Sequence, residues 1–180
     1  LMDIEVDDVD KDVITQFELE LANNDGELNH LESLDEVIIG FSEDGGQTFT
    51  ELMRGLISSP SRNISNSGAS LSIEGGDFGK VLQRSTVADA FINEKLSDIV
   101  KEVVNKEVNS ERPSYQQITT NNVQDFGLTL DRVIAPAESV FDFFKRLTRQ
   151  IQEDVVFYVD KNKDLHLEER GTQSSGVVFE

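Results

Sequence analysis

A helix pattern that runs straight into a short hairpin, ESVFDFFKRLTRQIQEDVVFYVDKNKDLHLEER (138–170), constrains this chain more than any other stretch. Ser139 followed three residues later by Asp142 has the spacing of a capping box, in which a hydroxyl and a carboxylate satisfy the first free N–H groups of a helix. Val140, Phe143, Phe144, Leu147 and Ile151 then recur at helical spacing and form one apolar stripe, with charge on the opposite side. Such a stripe has to be buried. Its nearest cover is the pair of extended runs Val155–Val159 and Leu165–Glu169, joined by the polar turn Asp160-Lys161-Asn162-Lys163-Asp164. A helix laid on a hairpin is a packing unit rather than a reaction site.

The chain is long enough, at 180 residues, for one domain or two small ones with a real core. Its first half reads as strands. Ile14, Phe17, Leu19 and Leu21 include a period-2 run, Asn24-Asp25-Gly26 breaks it, and Val37–Phe41 is a more apolar strand. Glu43-Asp44-Gly45-Gly46 is a turn needing left-handed backbone, and Thr48–Ile57 is the return strand. The Ser/Asn-rich segment Ser58–Gly68 is expected to be a loop leading to a short strand at Leu71 and Ile73. The acidic opening, Asp3–Asp12, has the texture of an end or an exposed edge, and, with Leu1 in place of an initiator, the chain is expected to be a trimmed or partly ordered piece of something longer.

The texture changes near residue 80. Thr86 and Asp89 repeat the capping-box spacing, and Phe91, Ile92, Leu96, Ile99, Val100, Val103 and Val104 predict a helix near 86–105. After Pro113 come a strand around Gln117–Thr119, a turn near Asn121-Asn122, the pieces Phe126–Leu130 and Arg132–Ala135, and the final helix near 139–152. The fold class is therefore α+β. An antiparallel, barrel-like half over 1–80 is followed over 81–180 by a small α/β domain with two amphipathic helices and a terminal hairpin.

Charge and chemistry narrow the function. Thirty-five acidic residues against sixteen basic ones leave a net charge of -19. That surface repels phosphate backbones, which disfavours nucleic-acid binding. It also suits concentrated salt, where screening relieves carboxylate repulsion. There is no cysteine, hence no disulfide or thiolate metal site, and no apolar run approaches the roughly 20 residues of a membrane span. Eleven Phe with two Tyr and no Trp place aromatic mass inside the fold.

His30 sits in a polar stretch, and His166 alternates with Leu165 and Leu167 as a rim histidine; neither has a partner spaced for nucleophilic or metal chemistry. Asp160–Asp164 copies the opening of a calcium loop, but Leu165 stands where glycine is needed and Gly171 where a bidentate glutamate belongs, so a plain hairpin turn is the better reading. Gly75-Gly76-Asp77-Phe78-Gly79 lacks the Lys-Ser/Thr ending of a phosphate loop. Paired carboxylates such as Asp7-Asp8 and Glu168-Glu169 match the acidic surface. No catalytic, cofactor-binding or metal-binding residue is assigned, and the chain is expected not to be an enzyme.

Two blocks resemble a known family, the central hub or tail-tip proteins of tailed viruses and related contractile injection machines. One is Ser97-Asp98-Ile99-Val100-Lys101-Glu102-Val103-Val104, following Ile73-Glu74-Gly75-Gly76-Asp77. The other is Val140-Phe141-Asp142-Phe143-Phe144-Lys145-Arg146-Leu147, followed by Phe157-Tyr158-Val159-Asp160 and Asp164-Leu165-His166-Leu167. Val37–Phe41, Gly45–Phe49 and Arg54-Gly55 resemble the family's first barrel more weakly, so the likeness spans roughly 37–170.

The resemblance implies a non-enzymatic baseplate-hub component of the virion, acting at host entry. It implies a homotrimer whose ring joins the tail tube to the spike or fibres and lets the genome pass. This chain would supply part of the tube-like barrel and the inserted α/β domain. The implied partners are further copies of itself, a tail tube or distal tail ring protein, and a spike, fibre or tape-measure protein, with assembly in the host cytoplasm and residence at the tail tip. Two alternatives stand beside it: a particle-borne hydrolase of the cell envelope, and a host-glycan-binding adhesion module using Ser58–Gly68.

Overall fold

The computed structural model describes residues 4–7, 14–65, 68–110, 112–151 and 155–169. The chain divides into two compact units, 1–80 and 81–180. In the first, strands β1 (Ile4–Asp7), β2 (Gln16–Ala22), β3 (Glu36–Phe41), β4 (Thr50–Ser65) and β5 (Gly68–Gly76) form one sheet of order β1-β2-β5-β4-β3, antiparallel at every pairing. Alternation decides its faces. Phe17, Ile39, Met53, Ile57, Leu71 and Ile73 form the core, and Leu19, Leu21 and Val37 pack against it, as do Leu28 and Leu31 from the connection between β2 and β3.

Opposite Phe17 stands Gly75, where a Cβ would come 2.1 Å from the phenyl ring; glycine makes room for the aromatic. Between β3 and β4, Gly45 and Gly46 take φ of 72° and 96°. There Asp44 accepts the backbone N–H groups of Gln47 and Thr48 and the hydroxyls of Ser42 and Thr48. These bonds, the Thr48 N–H foremost, hold its carboxyl well below the usual range.

Strands β1 and β3 are the two edges and do not pair with each other, so the described residues make half of a barrel rather than a closed one. The Ser58–Gly68 segment is not a loop. Most of it is the far arm of β4, with Pro60 opposite Ile73, Arg62 opposite Leu71 and Ile64 opposite Ala69. Pairing along β5, itself held by β2, overrides the local Ser/Asn preference for a turn. Pro60 is tolerated because pairing to β3 ends at Leu56, leaving β4 one neighbour there. Asn66 and Ser67 lie outside the described residues, as does most of Asp3–Asp12.

In the second unit, strands β6 (Thr86–Val87), β7 (Ala90–Lys95), β8 (Thr119–Val123), β9 (Thr129–Ile134), β10 (Glu138–Ser139), β11 (Val155–Val159) and β12 (Asp164–Glu169) form three small sheets, β11-β12-β8, β10-β6 and β7-β9. A short helix α1 (Gly79–Arg84) crosses the boundary between the two units in sequence, and α2 (Leu96–Val103) and α3 (Val140–Ile151) are the longer helices. On α3, Val140, Phe143, Phe144 and Leu147 are all 1 % exposed or less. Phe144 and Phe141 meet the Phe157 ring of β11 edge-on, at 5.8 and 5.2 Å between centroids. Ser139 caps this helix, its Oγ accepting the Asp142 N–H at 3.0 Å while its hydroxyl donates to the Asp142 carboxylate at 2.7 Å. The Gln152-Glu153-Asp154 junction lies outside the described residues.

Three expectations are corrected here. The helix near 86–105 begins only at Leu96, because Thr86–Val87 and Ala90–Lys95 are strands paired with β10 and β9. Phe91 is buried opposite Val133, whereas Ile92, placed on the same predicted stripe, is 66 % exposed. A helix and a strand both bring Phe91 to the core, and only the partner strand tells them apart. Beyond Val103 the helix continues as a π-helical turn, Val104–Val108, with Val104 and Val108 buried. The third correction concerns Asn121 and Asn122, which are not a turn: they lie within β8, which runs parallel to β12.

Candidate functional site

The residues singled out in the sequence do not converge on one reactive centre. His30 is exposed, its Nδ1 2.8 Å from the Glu27 carbonyl on a 3-10 turn. The Gly75–Gly79 stretch forms a structural knot. Asp77 accepts the N–H of Thr15 and of Gly79, each at 2.8 Å, and its own N–H donates to the Thr15 carbonyl at 2.9 Å. Burial raises the Asp77 pKa above its ordinary value; the two N–H donors oppose that rise without cancelling it.

The Asp160–Asp164 segment is a hairpin turn whose carboxylates serve the chain itself. Asp160 Oδ1 accepts the N–H groups of Asn162 and Asp164, both at 2.9 Å. Burial raises its pKa, but those two bonds and the contacts from His166 and Asn162 leave it below the ordinary value. Asp164 is buried as the first residue of β12 and points to β8. There it accepts the Thr119 hydroxyl at 2.8 Å, the Asn121 N–H at 3.0 Å and the Asn122 Nδ2 at 2.7 Å. Lys163 donates to the Tyr115 carbonyl at 2.9 Å. Among the described residues no three acidic or histidine side chains gather as a cation site.

His166 lies on the face opposite Leu165 and Leu167, as its alternation predicts, but is more covered than an exposed histidine. Its side chain is 12 % exposed, and it stacks on Tyr158, directly opposite on β11, at 4.6 Å and 8° between planes. Asp164 as the tie between β12 and β8 is not evident from the sequence, because Asn121 and Asn122 read as a turn and nothing local pairs Thr119 with β12. The signal was available: a buried carboxylate needs several donors, and these three residues supply them.

Two surface features of the first unit complete the inventory. A concavity of about 230 Å³ is lined by Gln16, Phe17, Glu18, Ser58, Glu74, Gly75 and Lys80, with Glu18 and Glu74 facing each other on one rung of the sheet. On the outer side of β3 and β4, Ile38, Phe49 and Leu52 are 47, 59 and 59 % exposed. Arg54, opposite Ile38 on the ladder, pairs with Glu51 at 2.9 Å and Glu36 at 3.5 Å. The expectation that aromatic mass lies inside therefore fails at Phe49 and at Phe41, 43 % exposed.

No protein-family model matches the sequence, and no curated protein matches it. Solved structures do. The 43 kDa tail protein of prophage MuSo2 from Shewanella oneidensis superposes with a TM-score of 0.58 at 17% identity, over 92% of this chain and 48% of that one. A tail protein from Neisseria meningitidis MC58 gives 0.57 at 14% identity, over 86% of this chain and 41% of that one. An Escherichia coli component of the type VI secretion system, described as structurally similar to the T4 bacteriophage tail proteins gp27 and gp5, gives 0.51 at 14% identity, over 87% and 42%. The chain spans less than half the length of each. Its fold, a mostly antiparallel half-barrel with few helices, is that of phage tail proteins and of this secretion-system component.

Proposed function

We propose that this chain is a structural, non-enzymatic component of a tail hub or tail tip. One observation carries the reading: a tail-protein fold shared over 92% of the chain with a TM-score of 0.58. In this reading residues 1–80 are part of a tube-like barrel and 81–180 the associated α/β domain. Three copies close a ring that joins the tail tube or distal tail ring to a spike or fibre, with a tape-measure protein in the lumen, and the genome passes through. The particle is assembled in the host cytoplasm, and the protein resides at the tail tip of the virion.

Two features support association over catalysis. Among the described residues both edges of the first sheet lack a strand partner, and Ile38, Phe49 and Leu52, on or beside β3 and β4, are exposed. An acidic lumen would keep duplex DNA from adhering during passage. Mass measurement of the purified protein in its native salt, with cryo-EM of tail particles, should find three copies around a central axis. A stable monomer that joins no ring would refute the reading.

A further inference from the structure

We infer that His166 is a proton-operated switch between the β11–β12 turn and strand β8. The inference does not depend on the tail reading. Nε2 of His166 lies 3.4 Å from Asp160 Oδ2 and 3.4 Å from Asn122 Nδ2. These neighbours make opposite demands: a carboxylate only accepts, and the amide nitrogen only donates. One ring nitrogen can serve one of them at a time. As N–H it donates to Asp160; as a lone pair it accepts from Asn122.

The stack on Tyr158 fixes the ring plane, and Nδ1 faces Glu168 Oε2 at 3.9 Å. Among the described residues, the titratable groups in contact with the ring are acids: Asp160 from the turn, Glu168 from β12 and Tyr158 from β11, while β8 presents the neutral Asn122, whose amide also reaches Asp164. With the ring neutral and its proton on Nδ1, Asn122 uses both amide hydrogens, one to Asp164 at 2.7 Å and one to His166. Asn122 then supplies two of the ties that hold β8 on β12, beside those of Thr119 and Asn121 to Asp164. When the ring takes a proton from solvent it donates to Asp160 from Nε2, and Asn122 loses one acceptor. Acid exchanges a bond across the parallel seam for an ion pair within the hairpin turn.

The test uses the full chain labelled with ¹⁵N, at about pH 8 and about pH 5, either side of the ordinary imidazole range. At the higher pH, two-bond ¹⁵N–¹H spectra should show the His166 proton on Nδ1. At the lower pH, the Asn122 side-chain amide should shift as His166 protonates. Backbone exchange at Asn122 and Val123, corrected for intrinsic rates, should become about two- to five-fold faster, the loss of one net hydrogen bond.

His166→Gln offers a donor and an acceptor together and does not titrate, so its protection should be equal at both pH values. Asp160→Asn removes the carboxylate that receives the protonated ring, and should shrink the wild-type change even if the glutamine variant fails to fold. An Nε2–H tautomer at the higher pH, unchanged wild-type protection, or a pH effect that survives in His166→Gln overturns the inference.

Discussion

Asp77 is the residue where charge and burial conflict most openly. Its carboxylate receives two backbone N–H groups, which favour the anion, yet burial prevails and raises its pKa above 3.8. A group whose folded pKa is raised stabilises the fold while neutral, and this contribution is lost as pH climbs through the folded value. Asp77 therefore costs stability at neutral pH relative to mild acid. Urea denaturation of the wild type and of Asp77→Asn across about pH 3.5 to 7 should show the wild type losing ground to the variant as pH rises, since the other carboxylates cancel in the difference. A constant difference would mean that the N–H donors cancel the burial penalty, and a wild type gaining ground as pH rises would mean that they outweigh it.

Asn93 raises a different question at the same scale. It interrupts β7 with φ of 56°, a left-handed conformation that asparagine adopts with little strain and a β-branched residue does not. Asn93→Gly should be within about 0.5 kcal/mol of neutral, and Asn93→Val should cost about 1–2 kcal/mol by the same measurement. Equal stability of the two would show that the backbone there relaxes freely.

Among the elements, α3 is held by its buried face more than by its cap. Phe143 is fully buried and lies 5.9 Å from both Phe91 and Phe144, with the Arg146 guanidinium over its ring. Phe143→Ala should cost about 3–5 kcal/mol through cavity formation, against about 1 kcal/mol for Ser139→Ala at the cap. A reversed ranking in urea melts would mean that the end of the helix, not its packing, is decisive. This helix was legible in the sequence because its stripe, its cap and its length agree. The start of α2 was not, because Phe91 is compatible with either period and β9, its partner strand, lies some forty residues further on. The far arm of β4 was illegible for the same reason: Ser59, Ser61 and Asn63 prefer turns, and only their pairing with β5 makes them strand. What local preference specifies could be read, and what distant pairing specifies could not. The candidate site followed the same division. The hairpin turn was visible in Asp160–Asp164, but the parallel seam to β8 was not, because no short-range signal announces a parallel neighbour.

At the scale of the whole molecule, the acidic excess is the dominant long-range force. Ion pairs such as Lys95–Asp125 at 2.8 Å and Lys106–Asp89 at 2.5 Å are exposed, so each is weak and salt screens it. They enlist few of the 35 acidic residues, and the net charge of -19 leaves most carboxylates repelling one another. Raising the ionic strength from about 0.01 M to about 1 M shortens the Debye length from about 30 Å to about 3 Å. Both kinds of interaction are screened, but the surplus is repulsive, so screening should stabilise on balance. We expect the melting temperature to rise by several degrees in potassium chloride, at about 2–4 °C per kcal/mol for a chain of this size. Chloride is the informative choice, because sulfate would also strengthen apolar burial and blur the cause. The rise should shrink toward about pH 4, where carboxylates begin to protonate and the repulsion fades without salt. A melting temperature indifferent to chloride at neutral pH would show that the acidic surface is already spaced widely enough to be harmless, and the expectation that the chain suits concentrated salt would fall with it.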